Sequence, residues 1–263
     1  MLCFSCITPH PIMAIPTIDK MLSHKIEDTI QSLHTLAEDL YISKPDIILL
    51  ISTSEILDEE EFLINVSPTF NTDLKEFGDL VTKKEYQGDL SLPNKIYEAC
   101  LLHNLKARLF IKQNLIYNFS IPLIYLANHL TDVKILPITV STQNHKSHVK
   151  LGEIIKEIIF TTNKRVAVIV SGDLSHTLNS DSPAGYNKFG EIFDNKIQEF
   201  LSQKILSGML QLDENNITEA KETIFKQLLV LMGIMLNVQY DYKLYCYEAP
   251  FGVGHLTANL RLP

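Results

Sequence analysis

The sequence predicts an α/β fold: a single three-layer domain in which helices flank a mixed central sheet. Three observations lead there. The run Val166-Ala-Val-Ile-Val170 is five consecutive apolar residues, the pattern of a strand buried on both faces of a parallel-type sheet. Helix-like and strand-like patterns alternate along the chain, which favours layered α/β packing. No Gly- or Ser-rich linker and no internal repeat interrupts the 263 residues, so residues 1–263 are read as one domain.

The elements follow in order. Residues 2–7 form a short apolar strand that runs into Thr8-Pro-His-Pro11. From 24 to 40, Ile26, Ile30, Leu33, Leu36 and Leu40 recur at helical spacing. Pro45-Asp46 breaks the chain before a strand over 47–51. Residues 58–90 have weak periodicity and several acids, and read as a long excursion or lid. A helix over 93–105, a strand over 107–111, a helix over 122–130 and a strand over 133–140 come next, the last despite Pro137. A helix over 148–160 leads into the strand ending at Val170. Beyond it lie a long amphipathic helix over 186–206, one or two helices over 217–236, and a final strand over 242–247.

Composition excludes several classes. A net charge of −8 and a pI near 5.6 argue against a broad nucleic-acid surface, which needs clustered Lys and Arg. The longest apolar runs, such as 228–236, are too short to span a bilayer. The start of the chain lacks the basic-then-apolar pattern of a signal peptide, so a cytoplasmic protein is expected. Four cysteines, at 3, 6, 100 and 246, are too few and scattered for a disulfide scaffold. Cys3-Phe-Ser-Cys6 lies inside an apolar strand and reads as packing, not as a redox or zinc motif.

Chemistry-bearing residues gather just past predicted strands. The strand ending at Val170 runs into Ser171-Gly-Asp-Leu-Ser-His176, the first into His10, and the last into Glu248-Ala-Pro-Phe-Gly-Val-Gly254. In open α/β sheets, ligands bind beyond the carboxyl ends of strands. An imidazole at that edge can act as base, acid or ligand near neutral pH. The plainer alternatives are that Asp173 and Ser175 cap a turn, that His10 is a turn residue, and that Glu248 is a solvated acid. His145-x-x-His148 has metal-compatible spacing, but a polar helix start explains it better. A hydrolase using His176 with Ser175 or Ser54 would want a Gly-x-Ser-x-Gly elbow, which does not occur.

On the segments Ile7-Thr-Pro-His-Pro11, Ser171-Gly-Asp-Leu-Ser-His176 with Pro183-Ala-Gly-Tyr186, and Glu248-Ala-Pro-Phe-Gly-Val-Gly254, the chain resembles the class III extradiol ring-cleavage dioxygenases, the LigB-like proteins. Within them it looks like a stand-alone member related to the Memo-type branch. The resemblance implies a mononuclear Fe(II) held by two histidines and a glutamate, with a catecholic or related aromatic substrate. It assigns metal-ligand positions to His10 and Glu248, proton transfer to His176, and substrate contact to Asp173 and Tyr117.

Two departures stand out. The second metal histidine is replaced: Ile51-Ser-Thr-Ser54 puts Ser54 at its position. A histidine expected near the substrate is replaced by Tyr117. Glu55 is a candidate substitute carboxylate and His255 another candidate ligand. The expectation is therefore a ring-cleavage-type protein with a degraded site that holds Fe(II), or another divalent metal, weakly. The alternative is a non-catalytic protein that binds a small aromatic ligand in the ancestral cleft. Enzyme activity stays open between them, as does assembly into a homo-oligomer.

Overall fold

The computed structural model describes residues 1–15, 17–18, 23–53, 55 and 59–263. In chain order the elements are β1 (Leu2–Thr8), α1 (Glu27–Ser43), β2 (Ile47–Ser52), β3 (Phe62–Asn65), β4 (Thr69–Thr72) and β5 (Glu85–Gly88). Next come α2 (Pro93–Leu102), β6 (Ala107–Phe110), β7 (Asn114–Leu115), α3 (Tyr117–Leu126), β8 (Lys134–Thr139), α4 (His145–Thr161) and β9 (Val166–Ser171). The chain closes with α5 (Lys188–Gln203), α6 (Leu206–Leu210), α7 (Glu214–Ala220), α8 (Phe225–Met235), β10 (Asp241–Glu248) and β11 (His255–Arg261).

One mixed sheet organises all of these, in the order β10-β11-β1-β9-β2-β8-β5-β4-β7, with β3 joining β8 to β6. Its centre, β1-β9-β2-β8, is parallel. Every residue of β2 and β9 is buried, as their unbroken apolar runs require when helices cover both faces. Side chains alternate between two cores. Val166, Val168 and Val170 pack with α2, α4, α5 and α8, while Ala167 and Ile169 pack with α1 and α3. The expected three layers are present.

Pro137 shows how a proline survives in an interior strand. On one side of β8 it pairs with Leu50 of β2. On the other, β5 ends its pairing at Ile135 and antiparallel β3 begins at Ile138. The missing N–H falls in the gap between two partners, where no ladder bond is lost.

The structure corrects several sequence-based boundaries. The stretch read as a long excursion or lid instead supplies three strands, since β3, β4 and β5 all join the sheet. The helix expected from Pro122 starts five residues earlier, at Tyr117. The helix over 186–206 stops at Gln203, where Lys204 turns left-handed at φ 60°. A strand that was not expected, β11, lies between β10 and β1 and is antiparallel to both. Among the described residues no helix is long and apolar enough to cross a membrane.

Candidate functional site

The topology explains why distant residues meet. Parallel strands β1 and β9 deliver their carboxyl ends to one edge of the sheet, and the β10–β11 hairpin brings its turn to that same edge. His10 follows β1, Asp173 and His176 follow β9, Glu248 ends β10 and His255 begins β11. Three imidazoles, from His10, His176 and His255, act electrostatically on one buried carboxylate, Asp173.

His10 is fixed by a relay that starts from a proline. Pro122 lies inside α3 and has no N–H to give the carbonyl of Asn118 four residues back. That carbonyl instead accepts the Ser171 hydroxyl at 2.9 Å. A carbonyl can only accept, so this bond uses the hydroxyl proton, and His10 Nδ1, 2.9 Å from Ser171 Oγ, becomes a donor. Its Nε2 then faces Asp173 Oδ2 at 3.6 Å. The His10 backbone N–H donates to Asp173 Oδ1 at 3.2 Å. Tyr117 packs its ring edge-on against His10, with centroids 5.3 Å apart.

Burial sets the charge states. It pushes the imidazoles of His10 and His255 below the ordinary histidine range, more than the facing Asp173 raises them. Burial would also push Asp173 up, but the three imidazoles and the His10 N–H together hold it below the usual carboxylate range. The result is an ionised Asp173 beside His10 and His255, two imidazoles that resist protonation. A neutral His10 with its proton on Nδ1 leaves the Nε2 lone pair beside the carboxylate. Two acceptors side by side call for a donor between them.

His176 is half-buried at the rim. Its Nδ1 lies 3.1 Å from the carbonyl of Leu174, so in the neutral ring Nδ1 carries the proton and Nε2 is left as a base. His255 is 1% exposed, and its Nδ1 has no hydrogen-bond partner among the described residues. An orphaned buried ring nitrogen is costly.

Glu248 sits opposite His255 in the hairpin register, but its carboxylate turns toward α1. Oε1 accepts both the N–H of Thr29, at 2.8 Å, and the Thr29 hydroxyl. Glu55 is exposed and ion-paired with Lys112, away from the histidines. Ser54 lies outside the described residues. His148 is buried in a structural setting, its two nitrogens facing the carbonyls of Asn144 and Ser141.

One residue with no role assigned from sequence ties the site together. Asp194 on α5 accepts the Ser175 N–H at 2.9 Å and the Tyr247 hydroxyl at 2.7 Å, linking the β9 loop to the end of β10. Burial pushes its pKa up to about 7, against both hydrogen bonds. Gly254 makes room for it: a Cβ there would lie 2.2 Å from Asp194 Oδ2. The sequence signal was the acid itself, on a helix face otherwise buried by Phe193 and Ile197.

Whether these residues fit the iron of a ring-cleavage centre can be judged from their contacts. Glu248 Oε1 accepts from Thr29, and among the described residues no three His, Cys, Asp or Glu side chains are grouped to hold a metal ion. Among the described residues a two-histidine, one-carboxylate face is not assembled, so their donor set does not fit.

The mixed sheet with histidines gathered at its strand ends defines the class: an α/β protein with a strand-end site. The family model described as the catalytic LigB subunit of aromatic ring-opening dioxygenase matches residues 5–257, and the chain belongs to the LigB family. It is 25% identical over 256 residues to Protein CA_C1420 of Clostridium acetobutylicum, covering 94% of this chain and 55% of that protein. The chain thus spans about half the length of this curated relative. In fold it is similar to the crystal structure of an uncharacterized protein, JW3007, from Escherichia coli K12. The TM-score is 0.67 at 13% identity, over 98% of this chain and 99% of that one.

Proposed function

We propose that this LigB-family protein binds a small hydroxylated aromatic compound at the His10–Asp173–His176 edge and does not hold iron tightly. The observation that carries this reading is the pair of acceptors, His10 Nε2 and Asp173 Oδ2, set 3.6 Å apart. A phenolic O–H, its one proton shared between the two in a bifurcated bond, is the simplest uncharged donor. His176 Nε2 at the rim can accept a second ring hydroxyl, and the Tyr117 ring supplies an aromatic wall. Of the two readings open from sequence, ring cleavage and ligand binding, the contacts of Glu248 favour binding. The carboxylate that a metal would need is engaged by α1. A cytosolic setting suits four free cysteines.

Calorimetric titration of metal-depleted protein with catechol tests this reading. Catechol is expected to bind, and His176→Ala to weaken it about tenfold or more through one lost hydrogen bond. Thermal stability should change by less than about 1 kcal/mol, because the His176 ring is half-buried at the rim and its hydrogen bond runs to the Leu174 carbonyl two residues away. Oxygen uptake with catechol and Fe(II) should stay at the protein-free rate. Rapid uptake that depends on His176 would establish the ring-cleavage reading instead.

A further inference from the structure

The loop that carries Asp173 and His176 is held through its backbone by neighbouring segments. The Asp173 N–H donates to the Thr223 hydroxyl at 2.9 Å, and the Thr223 N–H donates to the Asp173 carbonyl at 3.0 Å. The His176 N–H donates to the Ala220 carbonyl at 2.9 Å. Between these points Asp194 takes the Ser175 N–H and joins it to Tyr247 of β10. Of these holding groups, only the Asp194 carboxyl and the phenol of Tyr247 can titrate, and the phenol is pushed far above the ordinary tyrosine range.

The setting of Asp194 disfavours its charge. The residue is 1% exposed, its partners are an amide and a hydroxyl, and among the described residues no cation acts on it. The elements around it supply none. Tyr247 faces it from β10, and Glu222, in the connection between α7 and α8, repels it. Lys226 on α8 acts on Glu222 instead, and Glu219 on α7 is bonded to Asn187. Glu191, on α5 itself, acts on Tyr247. A buried carboxyl without a cation favours its neutral acid. The acid form keeps both links: Oδ1 still accepts the Ser175 N–H, while a proton on Oδ2 donates to the Tyr247 oxygen, which can accept as well as donate.

We propose that Asp194 positions the His176 loop as a neutral acid, so that uptake of one proton tightens the loop and its loss loosens it. The use of that loop for an aromatic ligand rests on the catechol-binding reading; the clamp does not. A carboxyl freed into water by opening releases its proton at about pH 4, whereas the closed one holds it up to about 7. The advantage of the closed loop is therefore greatest at acid pH, is lost as pH rises to about 7, and levels beyond.

Hydrogen exchange of the Ser175 amide in the ligand-free protein, corrected for the intrinsic rate at each pH, tests this. Protection is expected to fall roughly tenfold per pH unit between about pH 5 and 7, then level. Asp194→Asn offers the same two bonds without titrating, so its Ser175 protection should stay flat over that range. A purely structural acid would give no such profile. Catechol is absent from the measurement, so a protein that binds no catechol yet shows the profile would sink the ligand reading alone. Ser175 protection unchanged from pH 5 to 7, or a fall that survives Asp194→Asn, would overturn the inference.

Discussion

Asp173→Ala is expected to abolish catechol binding at the strand-end site, weakening it by on the order of 100-fold, and to destabilise the fold by about 1–3 kcal/mol. The carboxylate is 6% exposed and accepts the His10 N–H, so its removal leaves a buried donor unsatisfied. His10 and His255 are held below the ordinary histidine range, so near pH 7 no buried positive charge is stranded, which keeps the stability cost at the level of one buried donor. Asp173→Asn separates the two effects. The amide oxygen can still take the His10 N–H, so stability should return to within about 1 kcal/mol, while affinity stays low for want of the charge-assisted bond. Calorimetry and thermal denaturation of both variants check this. Catechol affinity unchanged in either would remove Asp173 from the site.

Gly233→Val is expected to cost about 3 kcal/mol or more and lower the melting temperature by roughly 10 °C, without touching any site residue. Helices α4 and α8 cross so closely that a Cβ at Gly233 would lie 2.2 Å from the Val149 carbonyl, and one at Gly152 would lie 2.1 Å from that of Val230. Both obstacles are backbone, which cannot swing aside as a side chain can. Separating the helices would loosen the layer that packs on Val168 and Val170 just before the site loop. A variant melting within about 2 °C of the unmodified protein would show that the helices part easily.

What the sequence made legible follows from how local each signal was. Strand β9 was plain because a strand covered on both faces carries five apolar residues in a row. Strands β3, β4 and β5 were obscured because each has four residues and owes its place to pairing with distant partners. Strand β11 was hidden by Thr257 and Asn259, polar side chains that the fold buries. Pro122 argued against a helix reaching back to Tyr117. The cost of that proline is offset because the carbonyl it frees is the acceptor for Ser171.

The site divided in the same way. Strand-end placement brought His10, Asp173 and His176 into view, since only the topology of a parallel sheet is needed to predict their meeting. The direction of the Glu248 carboxylate was not legible, because it depends on Thr29, 219 residues away along the chain. The grip of Asp194 on two site segments was equally invisible, being purely tertiary.

The central claim, a LigB-family fold whose strand-end residues do not assemble an iron centre, is tested most directly by iron retention. The protein is loaded anaerobically with one equivalent of Fe(II), passed through a chelating column, and its iron content measured. The account predicts well under one-tenth of an equivalent retained, rising when Ser54→His restores an imidazole at the position the family resemblance assigns to a ligand. One full equivalent of chelator-resistant iron in the unmodified protein, lost on Glu248→Ala or His10→Ala, would contradict it.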